Sequence, residues 1–321
     1  MGTPFLPMAF RPYIFRELPG WGRLYEWLGA GGLDNKNPHW HGAPIRIARG
    51  KIHGYLMELD LSDDLDRGVY FLGRYYDLDL QLLLDAILSP GDTFVDVGAN
   101  AGYVVLHAAS RVGPQGRVIA FEPQPQCCRK LRRNLELNGI RHVELHNCAL
   151  GEREDKLKLK MLGGTSIMSA LCIDETDEKN VRDEIEVEVL RGDDLVSDRV
   201  VGNLMLKVDV EGFELYVLRG LEHSIGRYRP PILIEVVPRY LRRAGTSVDE
   251  QFAFFNDCSY AGYVVSLRKR DLLPLPGSRR STFTLRPVPT PEDLRGEMDV
   301  LWLPKEGGRF DPAPHLLQPT N

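Results

Sequence analysis

The chain has 321 residues, of which 43% are hydrophobic and 26% charged, the composition of a soluble globular protein with a substantial core. A net charge of −5 leaves no overall basic field to steer it to nucleic acid. Its apolar runs, such as Val201–Leu206 and Ile232–Val237, fall far short of the roughly 20 residues that span a bilayer, so no membrane span is expected.

The first 50 residues are rich in Gly, Pro and aromatics, and Pro4, Pro7, Pro12 and Pro19 argue against a long element. Trp21–Leu28 reads as a turn or two of helix. The opening lacks a basic segment leading into an apolar core, so no signal peptide is expected. Leu at position 6 argues against myristoylation at Gly2. His39 and His41 lie in a Gly/Pro/Asn-rich surface loop. Alternation at Ile45, Ile47 and Tyr55–Leu59, around Gly50-Lys51, predicts a hairpin. Residues 1–70 are thus expected to form an N-terminal extension and hairpin. Its aromatic content offers a contact surface, for the main domain or for a partner that includes a second copy of the chain.

Leu80, Leu83, Leu84 and Ile87 recur at helical spacing and predict a helix over 72–88, ended by Pro90-Gly91. A regular alternation follows: strand 93–97, helix 101–112, strand 117–121, helix 125–138 and strand 142–148. Helix 125–138 carries a basic face (Arg129, Lys130, Arg132, Arg133) and stops at Asn138-Gly139. Such alternation predicts a parallel α/β sheet. Residues 150–192 break it with two antiparallel strands, 156–161 and 185–190. Between them, Gly163-Gly164-Thr165-Ser166 is a candidate substrate cover, and the acidic run Asp174–Glu178 reads as solvated surface. Strand 203–208, helix 212–225, strand 232–237 and helix 248–257 resume the pattern. Segments 263–269, 281–285 and 298–303 close the sheet. The main domain is expected over 71–304, with a loose tail over 305–321. The five cysteines (Cys127, Cys128, Cys148, Cys172, Cys258) include no C-x-x-C pair and read as reduced thiols of a cytoplasmic protein.

The chemistry gathers around Thr93–Gly102, T-F-V-D-V-G-A-N-A-G, and the strand that ends in Glu122. This strand–turn–helix–strand–acid unit reads as a nucleoside-cofactor pocket at the carboxyl ends of parallel strands. Its turn lacks the middle glycine of G-x-G-x-x-G. Asp96, two residues before Gly98, would repel a pyrophosphate, which disfavours NAD. An acid there suits a donor with a sulfonium and an amine, S-adenosylmethionine. Gly98 allows close backbone approach. Glu122 can accept hydrogen bonds from both hydroxyls of a ribose.

With D-V-G-A-N-A-G-Y (Asp96–Tyr103), F-E-P (Phe121–Pro123), N-C-A-L-G (Asn147–Gly151) and K-V-D-V-E-G-F-E-L-Y-V-L-R-G (Lys207–Gly220), the chain resembles the FkbM-type S-adenosylmethionine-dependent methyltransferases. The resemblance covers roughly 70–240, and Ala101 stands where such families often carry Ile. It implies a Rossmann-like class I methyltransferase fold: a seven-stranded, mainly parallel α/β sheet with helices on both faces and the last strand antiparallel. It places Asp96, Gly98, Asn100 and Gly102 around the methionine part of the donor and Glu122 on the ribose. Asn147, Cys148 and Ala149 would lie near the adenine.

Asp209 and Glu211 stand at the carboxyl end of strand 203–208, where ligands of open α/β sheets bind. A carboxylate there can take the proton of an acceptor hydroxyl. An acid in the first turn of the following helix also suits its dipole. With Glu235 at the end of the next strand, the pair could instead hold Mg²⁺. Lys207 shares the parity of Asp209, so an ion pair in the pocket is expected. The reading is methyl transfer to an oxygen, less favourably a nitrogen, of a small-molecule or carbohydrate acceptor. No nucleic-acid acceptor is expected, since that would want a basic, aromatic-studded face. A cofactor-binding protein without catalysis would share the pocket and need no acids at 209 and 211.

Overall fold

A computed structural model describes residues 5–31, 40–162, 169–172, 181–268 and 282–317. His39, Gly163-Gly164-Thr165-Ser166 and Asp174–Glu178 lie outside them. Three short helices come first, α1 (Phe5–Ala9), α2 (Arg11–Phe15) and α3 (Trp21–Trp27), as the scattered prolines require. The hairpin β1 (Ile45–Arg49) and β2 (Leu56–Asp60) pairs antiparallel. Helices α4 (Asp64–Leu72) and α5 (Leu78–Ile87) precede the sheet. Then come β3 (Thr93–Val97), α6 (Tyr103–Val112), β4 (Arg117–Phe121), α7 (Pro125–Asn138) and β5 (Val143–His146). Strands β6 (Ala149–Gly151), β7 (Asp155–Leu162), β8 (Ser169–Cys172) and β9 (Val181–Arg191) form a separate four-stranded sheet in the order β6-β9-β7-β8. The chain continues with α8 (Gly192–Val196), β10 (Leu204–Val208), α9 (Glu214–Gly220), α10 (Glu222–Tyr228), β11 (Ile232–Val236), α11 (Pro238–Arg243) and α12 (Val248–Asp257). It ends with β12 (Tyr260–Arg268), β13 (Thr282–Val288) and β14 (Met298–Pro304).

The central sheet has the order β13-β12-β14-β11-β10-β3-β4-β5. Strands β5, β4, β3, β10 and β11 are parallel, and β14 runs antiparallel beside β11. The expected α/β architecture with a final antiparallel strand is present. The count differs from the seven that the resemblance implies: among the described residues the sheet has eight strands, because β13, at the segment expected over 281–285, adds an edge strand by pairing antiparallel with β12.

Successive strand residues point to opposite faces. Phe94, Ala120, Met205 and Leu233 enter one apolar cluster, and Val95, Val97, Ile119, Leu206, Val208 and Ile234 the other. The first cluster takes in Leu83 and Leu84 of α5, Val105 and Leu106 of α6, and Ile14, Trp40, Met57 and Phe71 from the N-terminal segment. The second is closed by Val217 and Leu218 of α9, Phe252 and Phe255 of α12, and Leu159 and Val187 of the smaller sheet. Beyond β14, Leu316 is buried in the first cluster and Leu317 bridges to Leu285.

Two helix expectations need correction. The helix expected over 72–88 begins only at Leu78, where Asp77 accepts a hydrogen bond from the Leu80 amide. Gly73, at φ 66°, ends α4 just before it. Helix α4 escaped notice because polar side chains occupy its buried positions: Arg67 donates to the carbonyls of Gly29 and Leu61, and Asp66 accepts from Tyr103 Oη. The helix expected over 212–225 is broken into α9 and α10 at Leu221.

The hairpin is tied to α7 through side chains that replace a neighbouring strand. Asn138 accepts from the Leu56 amide at 2.7 Å and donates to the Leu56 carbonyl at 2.8 Å. Asn134 accepts from the Glu58 amide at 2.8 Å. Substitution Asn138→Ala leaves both Leu56 groups unpaired and should cost about 1–3 kcal/mol, read as a lower midpoint in urea unfolding. An unchanged midpoint would show that the clip contributes nothing.

Candidate active site

The chain passes from β3 to β4 and β5 on one side, then returns to β10 on the other side of β3. Strand order therefore reverses between β3 and β10, and the crevice outside the carboxyl ends at such a point is where open α/β sheets take ligands. A cleft lies there, enclosing about 1050 Å³ with its open mouth included. Asp96, Gly98, Asn100 and Gly102 line it from the end of β3 and the following turn, and Glu122 from beyond β4. Cys148 and Ala149 line it from beyond β5, Asp209 and Glu211 from beyond β10, and Glu235 from β11. Asn147 alone among the nominated residues is not in the lining. Its Nδ2 donates to the carbonyls of Glu122 (2.9 Å) and Pro123 (3.0 Å), so it braces the loop that carries Glu122.

Gly98 is required by both conformation and contact. Its φ is 86°, and a Cβ there would lie 1.8 Å from the Asp209 backbone oxygen. The ends of β3 and β10 can meet only because that atom is missing. Asn100 also has a positive φ, 49°, and its amide donates to Glu122 Oε2 at 2.7 Å. Glu122 Oε1 accepts from the Gln124 amide at 2.8 Å. Two amides thus orient a buried carboxylate whose oxygens still have lone pairs to offer. Burial pushes the Glu122 carboxyl up to about 7 although both amides oppose the shift.

Lys207 lies opposite Asp96 in the β10–β3 register. Its Nζ is 3.3 Å from Asp96 Oδ1 and 3.1 Å from Asp209 Oδ2. Burial favours the neutral amine, but the two carboxylates outweigh it and hold Lys207 well above its ordinary range, as an ammonium. Asp96 is fully buried, and its Oδ2 has no hydrogen-bond partner among the described residues. Burial pushes Asp96 up to about 6, with Lys207 opposing. The Asp209 side chain is 34% exposed, so a carboxylate aligned by Lys207 meets the cleft surface.

The turn after β10 is held from behind. Glu214 Oε1 accepts from the amides of Val210 (3.3 Å) and Gly212 (3.0 Å), and Arg243 donates to the Glu211 carbonyl. Glu211 has φ 55°. Its carboxyl is pushed up to about 7 by burial and by Asp209. Glu235 is pushed up to about 9 by burial, then by Asp209 and Asp299. Among the described residues no three Asp, Glu, His or Cys side chains converge to hold a metal ion. Burial pushes the Cys148 thiol up to about 11, so it stays neutral.

Leu65, Tyr75 and Tyr76 also line the cleft, and sequence reasoning missed all three. The tyrosine hydroxyls are 3.2 Å apart and their ring centroids 4.4 Å apart. Two adjacent tyrosines inside an expected helix gave no sign of a shared wall. The loop between α4 and α5 is what turns both toward the cleft.

The raised carboxyls bind protons more tightly in the folded protein than in the unfolded chain. Their contribution to stability is complete at low pH and is lost as pH rises through the folded values, about 6 for Asp96 and about 7 for Glu122 and Glu211. Unfolding free energy should therefore fall more steeply from about pH 4.5 to about pH 7.5 in the unmodified protein than in Glu122→Gln. Equal slopes in denaturant titrations across that range would refute this assignment.

A family model described as the methyltransferase FkbM domain matches residues 96–263. The chain is 35% identical over 155 residues to methyltransferase 1 of Beauveria bassiana, covering 41% of this chain and 60% of that one. It is 29% identical over 166 residues to the 31-O-demethyl-FK506 methyltransferase FkbM of Streptomyces tacrolimicus, covering 43% and 62%. The aligned stretch thus spans about three fifths of each of these relatives' length. A solved methyltransferase FkbM from Methylobacillus flagellatus KT aligns over 74% of this chain and 52% of its own, at 17% identity and a TM-score of 0.38. Because the matched domain makes up more than half of the sequence, the chain belongs to the FkbM methyltransferase family.

Proposed function

We propose that this protein transfers a methyl group from S-adenosylmethionine to a hydroxyl oxygen of a small-molecule or carbohydrate acceptor. The observation that carries the reading is the orphaned, fully buried Asp96 Oδ2 at the floor of the switch-point cleft. A buried carboxylate oxygen without a donor costs free energy until a ligand supplies one. The ammonium of the donor's methionine part supplies it, and the turn Gly98–Gly102 gives that part room. Glu122 keeps lone pairs for the ribose hydroxyls. Cys148 and Ala149 form the apolar rim suited to an adenine, with Asn147 bracing the loop behind. When bound, the donor supplies a methyl group on a positively charged sulfur.

The chain's own residues then position the acceptor. Asp209 would accept a hydrogen bond from the acceptor hydroxyl and take its proton as the methyl group passes to that oxygen, the sulfur–carbon bond breaking as the oxygen–carbon bond forms. Lys207 fixes the carboxylate's orientation, so alignment of the reacting atoms is set before the reaction. Glu211 stands beside it as a second acceptor of hydrogen bonds. The acid-rich lining also disfavours the polyanionic acceptor that a nucleic-acid methyltransferase would need.

Calorimetric titration separates the readings. Binding of S-adenosylmethionine with no binding of NAD is expected, and the reverse would overturn the proposal. Substitution Asp209→Asn should lower kcat about 10²–10⁴-fold while cofactor affinity changes little. Full methyl transfer by Asp209→Asn would remove its role as base and leave a cofactor site with other acceptor chemistry.

A further inference from the structure

Among the described residues the cleft lining carries five acids, Asp96, Glu122, Asp209, Glu211 and Glu235, and one base, Lys207. Lys207 is already divided between Asp96 and Asp209. Glu235 is worse than unpaired. It lies directly opposite Asp299 in the antiparallel β11–β14 register, and like charges facing each other across strands are destabilising. Buried charges persist only when paired, or else they neutralise. S-adenosylmethionine brings one net positive charge, so the donor and Lys207 together offset two of the five acids. In the proposed reading Asp96 Oδ2 takes the ammonium of the donor, so this lining already accepts one ligand cation. On the same cleft Tyr75 and Tyr76 present two adjoining aromatic rings tilted 41° to each other, and Asp209 and Glu235 lie near enough to act on the Tyr76 hydroxyl. Carboxylates and aromatic faces around one space are the chemistry of ammonium recognition.

We propose that the acceptor is itself a cation, an amine-bearing small molecule such as an amino sugar, whose ammonium sits between Glu235 and the Tyr75–Tyr76 wall while its hydroxyl meets Asp209. This rests on the methyltransferase reading and names its substrate class. It also accounts for where the residues come from. Tyr75 and Tyr76 precede the matched domain, 96–263, and Asp299 follows it, so acceptor selection is supplied by this chain's own flanks.

The test measures equilibrium binding of glucosamine, glucose and N-acetylglucosamine at about pH 7, where an alkylamine is mostly charged, to protein saturated with S-adenosylhomocysteine. Glucosamine should bind at least about tenfold tighter than the two neutral sugars, a difference of about 1.4 kcal/mol. The preference should vanish in Glu235→Gln and weaken in Tyr76→Leu. Glu235→Gln keeps the size of a carboxyl that burial, Asp209 and Asp299 hold neutral in the ligand-free protein, so it should melt no lower than the unmodified protein, which keeps its result interpretable. If all three sugars bind alike, or none binds, the cationic-acceptor proposal is overturned. If S-adenosylhomocysteine itself fails to bind, the methyltransferase reading falls instead.

Discussion

One buried ammonium holds the centre of this structure together. Lys207 lies between Asp96 and Asp209, at the point where the two middle strands of the sheet end. Taking an ion out of water costs several kcal/mol even after the protein relaxes, so neither Lys207 nor Asp96 is stable there as a lone charge. Together they fix the lateral position of β3 against β10 and the direction of the Asp209 carboxylate. They also leave Asp96 with one oxygen uncommitted. The same contact constrains the backbone: Gly98 admits the Asp209 carbonyl where any side chain would collide, and the Asp209 amide donates to Val97.

Around this centre the protein uses buried polar groups to shape loops. Glu122 gathers the amides of Asn100 and Gln124, and Asn147 fastens the carbonyls of Glu122 and Pro123. Glu214 does for the turn after β10 what Glu122 does for the turn after β3. Each device satisfies backbone groups that helix starts and turns leave without partners. The cleft residues therefore stand on braced turns, which is what the proposed methyl transfer, a reaction governed by alignment, requires.

The segment before the sheet is part of the same construction. Its apolar residues share a core with α5 and α6, the hairpin is clipped to α7, and the loop after α4 brings Tyr75 and Tyr76 to the cleft. The shared family domain provides the floor of the site, and the flanking segments provide part of its wall. In the proposed reaction, acceptor chemistry varies through that wall while the floor is unchanged, in keeping with function being grafted onto a common fold.

The sequence by itself determined the parallel strands β3, β4, β5, β10 and β11, the intervening helices α6 and α7, and the antiparallel pair β7 and β9, because period-2 and period-3.6 apolar patterns are local properties of the chain; it did not show the short β6, β8 and α8 or the break between α9 and α10. It also nominated the cleft acids, because an acid after an apolar strand end can be read without knowing its neighbours. Only the tertiary structure decided which of them act together. Asp96 and Lys207 are 111 residues apart and meet through strand register. Asn147 was nominated for the cleft and turned to brace a loop, since the direction of a side chain after a strand depends on the partners it finds. Helix α4 hid from the periodic signal because Asp66 and Arg67 are buried with distant partners, and no local pattern encodes those. The edge position of β13, the tyrosine wall and the Glu235–Asp299 confrontation likewise exist only once remote segments are laid side by side.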